Sequence, residues 1–188
     1  MSENARDRMV RSAVVLLARG GVQGASFAEV LAHSKAPRGS VYHHFPAGKA
    51  ELVAAAIDHM GGQAGAVLDT LAGGSAGDVI DGFIAMWRAL LERSGFAVGC
   101  SIAGVTVTAD SPDLLDRAAA VFRGWQSRLA GLLREGGLGE AEAEALATMM
   151  LAAAEGAVIL ARAERSMEPL DVVHAQLRRL AGSYLPAG

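Results

Sequence analysis

The chain has 188 residues, of which 52% are hydrophobic but only 5% aromatic, and its formal net charge at pH 7 is −3. A core of small aliphatic side chains favours closely packed helices over a sheet. The single cysteine, Cys100, excludes an internal disulfide and suits a reducing cytoplasm. The apolar stretches are too short to span a membrane and the N-terminus lacks an apolar signal core, so we expect a cytoplasmic protein without a membrane partner.

Charge is unevenly distributed along the chain. Residues 1–60 contain seven Lys or Arg and five Asp or Glu, a net charge of +2, whereas the remainder contains ten basic and fifteen acidic residues, a net charge of −5. A basic segment joined to an acidic one is typical of a protein that contacts nucleic acid at one end only. The charge pattern therefore favours a nucleic-acid contact near the N-terminus.

The N-terminal residues predict two helices. Apolar residues recur at helical spacing from about residue 5 to Arg19, and Gly20-Gly21 ends this first helix. Its early turns carry three arginines that either reach the DNA backbone or form a solvated face: Arg6, Arg8 and Arg11. Ser26 and Glu29 have the spacing of a capping box, which begins a second helix that ends near Ser34.

A third short helix is predicted from about Pro37 to His44, because proline suits a first helical turn and the Pro-Ala-Gly sequence after Phe45 ends it. Two short helices joined by a few residues form a helix-turn-helix, whose second helix enters the DNA major groove. Val41 and Phe45 are expected to pack inward. The predicted DNA-binding residues are Ser26, Lys35, Arg38, Gly39, Ser40, Tyr42, His43, His44 and Lys49.

Two other interpretations of this cluster were considered. Tyr42, His43 and His44 could instead close a small helical core. A metal site is not expected, because His43 and His44 are adjacent and point in different directions on a helix, and neither has a partner at ligand spacing.

The segment P-R-G-S-V-Y-H-H-F-P-A-G-K-A-E-L, residues 37–52, resembles the recognition-helix signature of TetR-type transcriptional repressors. The form Y-H-H-F-P-x-G-K is most similar to the LmrA/YxaF-like branch, and the match is dense over about residues 6–57. The resemblance implies a homodimer that binds a double-stranded DNA operator. It also implies a pocket for a small, largely apolar effector and no cofactor.

Periodicity and caps in the rest of the chain predict six further helices, about nine in all. They cover about 49–72, 75–94, 96–110, 112–135, 140–165 and a last segment after Pro169. The helix at 96–110 is expected to break at Gly99 or Gly104, and Ser101 stands where the LmrA/YxaF-like branch is expected to have proline. Three glycines of the fourth helix allow close packing of a neighbour, mark a bend or break the helix: Gly61, Gly62 and Gly65.

The sequence thus predicts an all-α fold with two domains: a helix-turn-helix DNA-binding domain at 1–48 and a ligand-binding and dimerisation domain at 49–188. Small residues and heptad-like stripes in the last two helices predict a four-helix homodimer interface. By the resemblance, the effector pocket lies among the fifth to eighth helices. Its apolar candidates, each of which could instead be ordinary core, are Phe83, Trp87, Phe96, Cys100, Phe122, Trp125 and Met150. Arg123 or Gln126 is the candidate polar contact.

The functional hypothesis is therefore a TetR-type regulator, a repressor that the effector releases from a palindromic operator. The alternative is a DNA-binding structural or adaptor protein that responds to no small molecule. An enzyme is not expected, because no carboxylate or histidine pairs are expected on facing inner surfaces of the helices, as in an E-x-x-H pattern, and Cys100 has no base near it in sequence.

Overall fold

The structure, a computed structural model, describes residues 4–184. Over this range the chain forms nine α-helices and no strand, which confirms the predicted all-α fold. The helices are α1 (Ala5–Gly24), α2 (Phe27–Ser34), α3 (Ser40–His44), α4 (Lys49–Asp69), α5 (Ala76–Ser94), α6 (Ser101–Thr108), α7 (Pro112–Glu135), α8 (Glu140–Glu164) and α9 (Glu168–Tyr184).

Several helices begin where a polar side chain caps the first turn. The Asn4 side chain accepts a hydrogen bond from the Asp7 N–H at 2.8 Å, and the Ser26 hydroxyl accepts one from the Glu29 N–H at 3.2 Å. At the start of α5, the Ser75 hydroxyl accepts the Asp78 N–H while the Asp78 carboxylate accepts the Ser75 N–H at 2.9 Å. These bonds satisfy amide groups that have no partner inside the helix.

The regular part of α1 stops at Gly20 and Gly21, whose backbone angles are not helical, as predicted, and a further turn beyond this kink continues to Gly24. Other predicted boundaries differ from the structure. The helix α3 begins at Ser40 and not at Pro37, because the N–H and hydroxyl of Ser40 both donate to the Pro37 carbonyl and hold a turn there. Of the alternatives for the glycines of α4, a break into two helices is wrong, since one helix runs from Lys49 to Asp69.

The sixth helix is shorter than predicted. Residues 97–100, which include Gly99, are not helical, in agreement with the predicted interruption at Gly99. The alternative break at Gly104 is wrong, because α6 runs without interruption through that residue. A side chain at Gly104 would place its Cβ 2.5 Å from the Leu17 carbonyl oxygen. Glycine is therefore present so that two helices can approach closely, and the helical hydrogen bonds remain intact.

The chain divides into two compact units, each made of two segments. The first unit comprises Met1–Gln63 and Cys100–Phe122, and the second comprises Ala64–Gly99 and Arg123–Gly188. The sequence-based division into 1–48 and 49–188 concerns function, and it stays a prediction.

In the first unit, α1 is joined closely to α6. The Thr108 hydroxyl accepts a hydrogen bond from the Val22 N–H at 2.8 Å and donates to the Gly104 carbonyl at 2.6 Å. Gly21 has a positive φ of 61°, and a Cβ there would overlap the Thr108 side chain. Leu17 on α1 is buried, and so are Ile102 and Val105 on α6. A glycine on each helix and one threonine thus fix α6 against the end of α1.

In the second unit, α5 and α8 pack against α9 and against each other. The buried side of α8 follows a three-and-four spacing through Ala143, Leu146, Ala147, Met150, Leu151, Ala154, Ala157, Val158 and Ala161. An ion pair between Arg88 and Asp171 and a hydrogen bond between the His174 ring and the Asp81 carboxylate join α5 to α9. Among the described helices, only α8 is long and apolar enough to cross a membrane, and 44% of its apolar stretch is already buried within the protein.

Candidate nucleic-acid interface

The helix α3 is anchored by its apolar residues and exposes its polar ones. Val41 and Phe45 have no exposed surface, as predicted for anchors of this short helix. Arg38 and His43 are exposed, and the Tyr42 side chain is 70% exposed. The surface therefore combines a guanidinium, a phenol and an imidazole, all of which can donate hydrogen bonds to phosphates or base edges.

The exposure of Tyr42 contradicts the interpretation that it closes a small core. Its ring meets the ring of Phe27 in an edge-to-face arrangement, with centroids 5.7 Å apart and planes at 85°. His44 is half-buried, and its ring lies 5.1 Å from that of His43. Phe27 has no functional signal in the sequence, because a phenylalanine just after a helix cap indicates only ordinary packing.

Ser40 and Gly39 have different roles in the turn before α3. The Ser40 hydroxyl donates to the Pro37 carbonyl at 2.6 Å, so its proton is already used, although its oxygen can still accept a bond. A Cβ at Gly39 would meet no atom of the described residues within 4 Å. Packing among the described residues therefore does not account for glycine there, and its role in DNA binding stays a prediction.

The other predicted contacts lie at helix ends. Ser26 caps α2, Lys35 ends it in the left-handed conformation with φ of 53°, and the half-buried Lys49 begins α4. Gly48 has φ of 88°, and the Glu51 carboxylate accepts the Ala47 N–H at 2.9 Å. The positive φ of Gly48 and the bond from Ala47 to Glu51 define the turn between α3 and α4.

The arginines of α1 divide into different roles. The guanidinium of Arg6 lies over the ring of Phe45, 5.4 Å from its centroid. The half-buried Arg8 donates from Nε to the Ser34 carbonyl at 3.4 Å and joins α1 to the end of α2. His33 makes a second link between these helices through the Ser12 hydroxyl at 3.0 Å. Arg8 therefore supports the helix-turn-helix, while Arg6 lies beside the end of α3.

The predicted effector residues do not all lie in the same unit. Phe83, Trp87, Phe96, Trp125 and Met150 belong to the second unit, whereas Cys100 and Phe122 belong to the first. Phe96, Cys100 and Phe122 are half-buried, and the other four are buried. Gln126 is half-buried and Arg123 is exposed, so an exposed charge at residue 123 does not line a closed core.

Two of these residues have polar atoms with defined surroundings. Cys100 caps α6 through its sulfur, which accepts the Ala103 N–H at 3.4 Å. The indole N–H of Trp87 is buried without a hydrogen-bond partner among residues 4–184, and its ring packs edge-to-face on Phe83 at 6.3 Å. Within the same range, no group of His, Cys, Asp and Glu could hold a metal ion.

Comparison with known proteins identifies the family. A model of the bacterial regulatory proteins of the tetR family matches residues 10–56, which contain the helix-turn-helix. A second model, the C-terminal domain of LmrA/YxaF-like transcriptional regulators, matches residues 76–176. This chain belongs to the TetR family. Its resemblance to the LmrA/YxaF-like branch is thereby confirmed, and the chain is a transcriptional regulator with a DNA-binding helix-turn-helix domain.

Relatives and solved structures agree with this assignment. The chain is 39% identical over 96% of both chains to an uncharacterised HTH-type transcriptional regulator of Mycobacterium tuberculosis. It is 25% identical to the HTH-type transcriptional regulator LmrA of Bacillus subtilis, over 89% of this chain and 91% of that one. The crystal structure of regulatory protein TetR from Rhodobacter sphaeroides has a TM-score of 0.85 at 26% identity, covering 94% and 98% of the two chains. Regulators of this family bind DNA and typically dimerise, and they are not enzymes.

Proposed function

We propose that this TetR-family chain is a homodimeric repressor in the cytoplasm, which binds a roughly palindromic operator and is released from it by a small, largely apolar effector. The observation that carries the proposal is the exposed, hydrogen-bonding surface of α3 on buried anchors. Arg38, Tyr42 and His43 are exposed while Val41 and Phe45 are buried. A short helix with this polarity suits the major groove better than a protein core.

The second copy of the chain is proposed to cover an apolar stripe on α8. This stripe lies opposite the buried side, contains no charged residue and consists of Ala145, Thr148, Met149, Ala152, Ala153, Gly156, Ile159, Leu160 and Ala163. Ile159 is 65% exposed and Leu160 53% exposed in the single chain. An uncharged stripe of this length on a monomer marks an interaction surface.

A groove between α8 and α9 extends this surface. It has a volume of about 480 Å³ and is lined by Met149, Ala153, Val172, Val173, Gln176, Leu177, Arg179, Leu180 and Ser183. Small residues on α8 let another helix approach closely, and the groove can accept side chains from it. Two helices from each copy then form a four-helix interface. Two α3 helices related by the dimer axis would read half-sites about one helical turn apart.

The effector is proposed to favour a state of the dimer that binds the operator weakly. The buried aromatic pair of Phe83 and Trp87 supports a largely apolar ligand. The unpartnered indole N–H of Trp87 is consistent with one hydrogen-bond acceptor on that ligand. A regulator without a ligand response is the alternative, and operator affinity measured across an effector screen separates the two.

The test is selection of duplex fragments from a random pool by the purified protein, followed by sequencing. A dyad motif is expected, and fluorescence anisotropy then measures affinity for a labelled copy of it. The variant Arg38→Ala/Tyr42→Ala is expected to lose that affinity while still folding and dimerising. Arg93→Ala, which removes an exposed arginine of α5, is the matched control. Undiminished affinity in the double variant would refute the proposed interface.

A further inference from the structure

We propose that Phe27 is a positioning residue for operator binding, because its ring holds the exposed Tyr42 side chain in one orientation before DNA arrives. This inference rests on the proposed function. Phe27 is the first residue of α2 and Tyr42 is in the middle of α3, so the contact connects the two helices of the helix-turn-helix.

The backbone of α3 fixes the position of Tyr42 but not the direction of its ring. The helix has five residues, and its anchors are the buried Val41 and Phe45. Tyr42 itself is 70% exposed, and a tyrosine with so little contact samples several rotamers in water. The edge-to-face contact with Phe27, at 5.7 Å and 85°, selects one of them.

Phe27 is itself held in place by the start of α2. The Ser26 hydroxyl accepts the Glu29 N–H, and the Ser26 carbonyl accepts the Val30 N–H at 2.9 Å. Val30 is fully buried one turn below, and the Phe27 side chain is half-buried. The ring therefore sits on a capped and anchored turn, which makes it a rigid support for its neighbour.

A phenylalanine side chain has no hydrogen-bond donor or acceptor, so the only direct contact open to it is an apolar one, such as a thymine methyl. A direct contact of that kind would persist in the absence of Tyr42, whereas a positioning effect would not. Ordering a side chain at an interface opposes binding, and a side chain that is already ordered avoids that loss. Removing the Phe27 ring is therefore expected to weaken operator binding about three- to tenfold. The loss should disappear when Tyr42 is absent.

The experiment is a double-mutant cycle on the selected operator, measured by fluorescence anisotropy. The proteins are wild type, Phe27→Leu, Tyr42→Ala and the double variant, with Phe27→Met as a second variant without a ring. We expect Phe27→Leu to weaken binding in the wild-type background and to have no further effect in the Tyr42→Ala background. Phe27→Tyr, which keeps a ring, should restore most of the affinity.

Two controls separate positioning from general destabilisation. Circular dichroism melts identify any variant that does not fold. Leu31→Ala removes another half-buried side chain of α2, and its effect should be the same in both backgrounds. A loss for Phe27→Leu that is equal in both backgrounds, or no loss at all, would overturn the inference.

Failure of the proposed function gives a different result. If wild type selects no DNA motif, the proposed function and this inference fall together. If wild type binds its motif but Tyr42→Ala binds equally well, only the inference falls, because Tyr42 then contributes nothing that Phe27 could position.

Discussion

The exposed surface of α3 in the first unit is polar, whereas the exposed stripe of α8 in the second unit is aliphatic and uncharged. Arg38, Tyr42 and His43 present donors to the outside, while Ile159 and Leu160 present only hydrocarbon. A polar surface can form hydrogen bonds with phosphates, whereas an apolar stripe is stabilised by contact with another apolar helix. The contrast suits the two partners of different chemistry proposed above, DNA for α3 and a second copy of the chain for α8.

The two surfaces also differ in how the protein supports them. The polar residues of α3 depend on specific partners, such as the Ser40 bond to Pro37 and the Phe27 ring beside Tyr42. The apolar stripe needs only a regular helix, because its spacing alone brings nine residues to one side. We therefore expect the surface of α3 to be sensitive to substitutions of the residues that support it. The apolar stripe of α8 should be disrupted mainly by substitution of one of its residues with a charged one.

The largest expected effect comes from placing a charge in the stripe. Leu160→Glu would bury an unpaired carboxylate at the proposed interface, so the protein should become monomeric. Operator affinity should fall about 100-fold or more, because a monomer can use only one half-site. Sedimentation velocity and anisotropy measure both quantities. Ala85→Glu, on the exposed side of α5, is the control. If Leu160→Glu still forms a dimer with normal operator affinity, the second copy does not cover this stripe of α8.

Arg38→Ala tests the polar surface alone. We expect binding about tenfold weaker, and the salt dependence shows what the guanidinium contacts. A fall of about one in the slope of log affinity against log salt indicates a phosphate contact, whereas relaxed sequence preference with a smaller change in slope indicates a base. If neither affinity nor slope differs from wild type, Arg38 does not face the duplex.

The close approach of α1 and α6 is expected to make Gly104 sensitive to a single methyl group. A Cβ there meets the Leu17 carbonyl at 2.5 Å, and Gly104→Ala should lower the free energy of unfolding by about 1–3 kcal/mol. Gly62→Ala is the matched control in α4, because its Cβ would meet no described atom within 4 Å. That change should raise stability by about 0.5–1 kcal/mol. Urea unfolding measures both, and effects of the same sign would contradict the packing argument.

The smallest effect is expected at the α5 cap. Hydrogen bonds from the Ser75 side chain and backbone lower the pKa of Asp78 below its ordinary value. A carboxyl whose pKa is lower in the folded state stabilises the protein above its unfolded pKa, and that contribution is lost as the pH falls below about 4. Asp78→Asn should therefore melt at a lower temperature than wild type at pH 7, with a difference that shrinks in acid. A constant difference would show that the charge plays no part.

Local signals in the sequence predicted much of the helical frame and of the DNA-binding surface. Ser26 and Ser75 cap helices as their spacing indicated, and the periodicity of 140–165 corresponds to the buried side of α8. Caps and periodicity depend on residues three or four apart, so they can be predicted from the sequence without knowing which residues are in tertiary contact. Val41 and Phe45 were predicted as anchors in the same way.

Contacts between residues far apart in the sequence could not be predicted from caps and periodicity. Gly104 looks like a helix breaker in sequence, and only the carbonyl of Leu17, far away along the chain, explains why a continuous helix has glycine there. From the sequence, Arg8 was either a DNA contact or part of a solvated face, but in the structure it donates a hydrogen bond to the Ser34 carbonyl at the end of α2. The effector candidates were chosen as apolar residues of particular helices, and that choice cannot tell which compact unit each will join.

The sequence by itself therefore determined the helices, their caps and the segment that reads DNA, because each follows from short-range geometry and from the pattern of polar and apolar residues. The tertiary structure decided which glycines are points of contact, which arginines are structural and which ring stands beside Tyr42. The physical reason is that these properties belong to pairs of residues from different helices, and a pair has no signal in either of its two segments alone.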